Sequence, residues 1–146
     1  MKKRLSLLLT AVVWASVGTD AIAHEGDHHH HHHGTLEVPD GQPIPTVDLI
    51  VYEDAVRGWN LEIRLSNFEF APQNVNESSL TTEGHAHLYV NGEKVARLYG
   101  NWYHLEHLEP GRHEVTVSLN ANGHETLVYN GEEIADTEIV EVGDPQ

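Results

Sequence analysis

The stretch Gly84-His85-Ala86-His87-Leu88-Tyr89-Val90-Asn91-Gly92 leaves the chain little choice of local structure. Apolar and polar side chains alternate with a period of two, which suits a half-buried strand and not a helix. Ala86, Leu88 and Val90 then share one face, and His85, His87 and Tyr89 share the other. Asn91-Gly92 supplies the positive φ angles of a tight hairpin turn, so the chain folds back through Glu93 to Tyr99. Two imidazoles are thereby held side by side on a rigid element. Either they bind a metal ion, or they are solvated histidines on an outer sheet face.

The same reading extends along the chain. Val47 to Tyr52 forms a first strand and Asn60 to Leu65 a second, with Leu61, Ile63 and Leu65 facing inward and Arg57-Gly58 turning between them. Phe68 to Ala71 continues outward until Pro72 closes it. Residues 73–83 are polar and loop-like, and the aromatic stretch from Gly100 to the Pro110-Gly111 turn reads as irregular. Arg112 to Leu119 alternates most regularly, Asn120 to Gly123 turns it, and His124 to Tyr129 returns. A second Asn-Gly turn, Asn130-Gly131, leads to a last strand over Ile134 to Val142. Seven or eight short strands with Gly, Pro and Asn turns and no helix predict an all-β antiparallel β-sandwich, immunoglobulin-like or cupredoxin-like, over residues 46–146.

The N-terminal part has a different character. Met1-Lys2-Lys3-Arg4, an apolar run from Leu5 to Gly18 and the small-x-small pattern Ala21-Ile22-Ala23 read as a secretory signal peptide over residues 1–23. The apolar run falls short of the roughly 18 to 20 residues that span a bilayer, so no membrane insertion is expected after cleavage. The expected location is periplasmic or secreted. Residues 24–45 are a histidine-rich arm followed by a proline-stiffened linker, Pro39-Asp40-Gly41-Gln42-Pro43-Ile44-Pro45.

Composition narrows the chemistry. Only 8 Lys and Arg stand against 23 Asp and Glu, and scattered, outnumbered cations do not bind a phosphate backbone, so nucleic acid is not an expected partner. Cysteine is absent and the single methionine is Met1. Disulfides, thiolate blue-copper centres and thioether Cu(I) sites are therefore excluded, and a transition-metal site must be built from imidazole, carboxylate, amine or water. That chemistry points to Cu(II), Zn(II) or Ni(II), whereas calcium wants an oxygen cage that the sequence lacks. No Gly-x-Ser-x-Gly elbow or phosphate-cradling loop is present, and no enzymatic activity is expected.

The histidines are the candidate ligands. His85 and His87 come first, because alternate strand residues lie about 6 to 7 Å apart on one face, within reach of one ion. His124, at a turn, is the candidate third ligand. His104 is a further candidate, His107 and His113 weaker ones, with His113 sharing the parity of Val115 and suited to a hydrogen-bonded place at the core edge. His24 and the run His28, His29, His30, His31, His32 and His33 form a tract able to chelate a divalent ion in many interchangeable arrangements. A six-histidine run is also what an expression tag looks like. An exposed N-terminal His24 would further allow a brace in which the terminal amine and its own imidazole hold copper.

The Gly84-His85-Ala86-His87-Leu88 strand, the Pro110-Gly111-Arg112-His113 turn and the later His124 resemble a group of small uncharacterised exported bacterial proteins that share these three features. The resemblance covers roughly residues 59–142 and implies a β-sandwich that handles divalent metal. The expected function is a metal-binding protein, copper(II) or zinc(II), that buffers or delivers its ion from His85, His87 and His124. The alternatives are an interaction or structural sandwich module with incidental histidines and, third, a His-brace copper oxidase.

Overall fold

A computed structural model describes residues 34–144. Eleven strands run through them in two sheets. The smaller sheet is the antiparallel trio β2 (Thr46–Glu53), β3 (Trp59–Ser66) and β7 (Trp102–Leu105), in the order β2-β3-β7. The larger is built around β5 (Glu83–Val90) and β8 (Gly111–Ala121), which pair antiparallel from Gly84↔Ala121 to Val90↔Val115. On the far side of β5 lie β6 (Glu93–Leu98) and the short β4 (Glu69–Phe70). On the far side of β8 lie β11 (Ala135–Val142) and then β9 (Thr126–Tyr129), which β10 (Glu132–Glu133) and β1 (Thr35–Glu37) flank. The described residues contain one short 3-10 turn, Pro72–Asn74.

Alternation decides which side chains fill the space between the sheets. Ala86 and Leu88 of β5 and Val115, Val117 and Leu119 of β8 meet Leu49 of β2 and Leu61 and Ile63 of β3, all essentially sealed from solvent. Burial of this apolar set drives the two layers together, at about 25 cal/mol per Å² removed from water. The β-sandwich is as expected, and Asn91 and Gly92 both take positive φ, +52° and +80°, as the tight hairpin requires.

Four features depart from the expectation. The pairing is not purely antiparallel, because β1 runs parallel to β9 and β4 parallel to β5. The sequence predicts an arm and linker reaching Pro45, whereas Thr35–Glu37 already belongs to the sheet and Val38 is buried. Trp102–Leu105 is a strand and not a loop, held by β3 in the register Asn60↔His104. The fourth concerns the second face of β5, which carries the histidines and is itself covered.

Candidate metal centre

His85 and His87 do share the face opposite Ala86 and Leu88, but they are not solvated: His85 is 0% and His87 2% exposed. The rings lean together, with centroids 4.9 Å apart and Nε2 atoms 3.1 Å apart. Tyr99 flanks His85, Tyr89 flanks His87, and the turn between β8 and β9 lays the His124 ring against His85 at 4.9 Å. His124 Nδ1 stands 3.3 Å from His85 Nε2. One ring nitrogen from each of the three residues lies within 4.8 Å of the other two.

Three local devices produce this convergence. Gly84 lets β5 press against β8 beside the histidines, since a Cβ there would stand 2.1 Å from the Asn120 carbonyl oxygen. His124 adopts φ +75°, sparsely populated for a residue with a side chain, and its amide closes the turn onto Ala121 O at 2.9 Å. The polar segment before β5 then locks that turn. Ser79 Oγ accepts from the Gly123 amide at 2.9 Å, and Asn122 Nδ2 donates to Glu83 Oε1 at 2.8 Å. Asn74 Nδ2 donates to the same oxygen, and these amide hydrogen bonds hold the Glu83 carboxyl below its ordinary pKa.

The surrounding partners fix the tautomers. Asn76 Oδ1 lies 2.7 Å from His124 Nε2. An amide oxygen can only accept, so His124 Nε2 carries the proton and its Nδ1 presents a lone pair to the cluster. Lys94 Nζ, a donor, lies 3.0 Å from His87 Nε2, which therefore presents a lone pair too, leaving Nδ1–H to face the Tyr89 hydroxyl at 3.4 Å. Burial, followed by the charges of Lys94, His85, Arg97 and His124, lowers the His87 pKa to about 3. His87 is thus a neutral imidazole at any physiological pH, the form a metal needs.

Two lone pairs converge on His85 Nε2; with the His85 proton carried on Nδ1 instead, all three nitrogens would present lone pairs to one ion as neutral imidazoles. Metal–imidazole bonds of about 2.0 to 2.1 Å imply N···N separations of roughly 2.9 Å for square-planar neighbours and 3.3 Å for tetrahedral ones. The 3.1 and 3.3 Å separations from His85 Nε2 fall in that range, and all three nitrogens lie within 4.8 Å of one another. The three histidines can hold a metal ion.

The other candidates lie elsewhere. His104 is carried by β7 in the smaller sheet, where its Nδ1 meets Asn60 Oδ1 at 3.0 Å, so it does not join the trio. His107 pairs with Glu109 at the surface. His113 is bonded through Nδ1 to Asn91 and through Nε2 to Glu109 O, a fastening between the hairpin and β8. His24 and His28 to His33 fall outside the described residues. Sequence reasoning missed Asn76 and Lys94. Nothing local marks Asn76, but Lys94 stands just beyond the Asn91-Gly92 turn, where a hairpin partner of the His-bearing strand must be.

Comparison with protein families, with curated proteins and with solved structures finds no match.

Proposed function

We propose that this protein binds one Cu(II) or Zn(II) ion through His85 Nε2, His87 Nε2 and His124 Nδ1, and buffers or passes on that ion outside the cytoplasm without performing catalysis. The carrying observation is the approach of His87 Nε2 and His124 Nδ1 to His85 Nε2 at 3.1 and 3.3 Å, all three within 4.8 Å of one another, with Tyr89 beside the outer nitrogen of His87 and Asn76 on that of His124. Such outer hydrogen bonds are what orient histidine ligands in metal sites. Three neutral nitrogens leave room for a further ligand, the open coordination that an exchangeable ion requires. Imidazole without sulfur suits both metals named. The His24 to His33 segment is proposed as a capture element that raises the local supply of the ion.

The test separates the folded site from the tract. In the chain with His28 to His33 replaced by serine, titration with Zn(II) and Cu(II) is expected to show one tight equivalent that His85→Ala/His87→Ala abolishes. A chain that binds nothing once the tract is replaced, or binds equally well without His85 and His87, would reduce the histidines to a hydrogen-bonded cluster in a structural module.

A further inference from the structure

The hairpin carrying the histidines contains an irregularity that puts a cation where the metal would bind. Between β5 and β6 the register runs His87↔Arg97 and Leu88↔Ala96, then jumps to Tyr89↔Lys94. Val95 is the extra residue of a β-bulge and remains exposed. Without the bulge Tyr89 would pair with Val95, and Lys94 would pair with Val90, on the face of Ala86 and Leu88. The bulge turns Lys94 onto the other face, that of His85, His87 and Tyr89. There its Nζ reaches His87 Nε2 at 3.0 Å, although the residue as a whole stays exposed.

We infer that Lys94 is a built-in competitor for the metal site: its ammonium occupies the His87 Nε2 lone pair in the metal-free protein and must swing out to solvent when the ion binds. The inference rests on the proposed His85/His87/His124 site and deepens it. One lone pair cannot serve an N–H donor and a metal at once. A divalent ion and an ammonium about 4 Å apart also repel strongly in a partly desolvated setting. The exposed stem gives Lys94 a way out that needs no movement of the strands. Uptake is then the exchange of one cation for another at a preformed site, and the returning ammonium assists release. This arrangement suits a carrier and works against permanent retention.

Lys94→Met keeps the aliphatic stem and removes the donor and its charge. In the chain with His28 to His33 replaced by serine, Zn(II) affinity is measured by chelator competition at high salt, which screens distant charges. Removing a charge-assisted hydrogen bond that competes with the ion is expected to tighten binding by about 10- to 100-fold, mainly through slower release. Arg112→Gln, which removes an exposed cation bonded to Glu114 and Glu141, serves as the control and is expected to change affinity less than about twofold. Unchanged affinity in Lys94→Met overturns the inference while leaving the site standing. Weaker binding also overturns it, by making Lys94 a ligand, and so does an Arg112→Gln effect of equal size. Absence of His85- and His87-dependent binding in every variant overturns the inference together with the site.

Discussion

Asn76 Oδ1 accepts a hydrogen bond from His124 Nε2 at 2.7 Å, and through that bond a loop amide chooses which nitrogen of His124 faces the other two histidines. Asn76 takes φ +68° and its own amide is bonded to Asn122 O at 2.8 Å, so acceptor and turn are fastened to each other. Removing the acceptor takes away the bond that holds the His124 proton on Nε2. Asn76→Ala is therefore expected to weaken Zn(II) binding by about 10- to 100-fold while the circular dichroism of the sheets is unchanged. Wild-type affinity in this variant would mean that His124 is oriented by other means.

Gly84 should tolerate no side chain. Its φ is +155° and a Cβ would be 2.1 Å from Asn120 O, a backbone atom of the strand paired with β5. Gly84→Ala is expected to cost about 2 kcal/mol or more in urea unfolding, because strands rather than a flexible side chain must give way. A loss below about 0.5 kcal/mol would show that the β5–β8 contact is looser than described.

The metal-free protein should lose stability in mild acid through His87. Its folded pKa is lowered to about 3 from an ordinary 6.5. Between these values the unfolded chain binds a proton that the folded one does not, so stability is whole above about pH 6.5 and declines as pH falls toward 3. Asp54, lowered to about 2 by the Val56 and Arg57 amides and the Asn60 side chain, and Glu83, also lowered, act the same way in the carboxylate range, below about pH 4.5. Unfolding measured with chelator present between pH 7 and 5 isolates the histidine. The slope should be positive in the wild type and smaller in His87→Gln; equal slopes would assign the effect to other groups.

Metal should stabilise the fold by mass action, since the three nitrogens are together only in the folded chain. With free Zn(II) at a hundred times its dissociation constant, the gain is about 2.7 kcal/mol, seen as a rise in midpoint temperature. The rise should vanish in His85→Ala/His87→Ala. Its survival there would place the stabilising ion elsewhere.

Much of this architecture is legible in the sequence because period-two alternation and Asn-Gly turns are local signals. Leu61, Ile63, Val115, Val117 and Leu119 face inward as their parity requires. The pair His85/His87 and the turn position of His124 are legible for the same reason. Alternation also marks β7, where Trp102 and His104 are exposed and Tyr103 and Leu105 half-buried, but the aromatic cluster there obscures it. What sits on the second face of β5 is not local information. It depends on the loop carrying Asn76 and Ser79 closing over the turn of Asn122 to His124, contacts more than 40 residues apart in the chain. The aim of Lys94 depends on a one-residue bulge that no hydrophobic pattern announces. His104 could be excluded only once β7 was seen to pair with β3.

The most direct test is a crystal structure of the chain with His28 to His33 replaced by serine, grown with Zn(II) and measured at the zinc absorption edge. An anomalous peak about 2.0 to 2.1 Å from His85 Nε2, His87 Nε2 and His124 Nδ1, with Lys94 turned away, is the predicted result. Zinc bound only at other residues, with the three rings still hydrogen-bonded to one another, would contradict it.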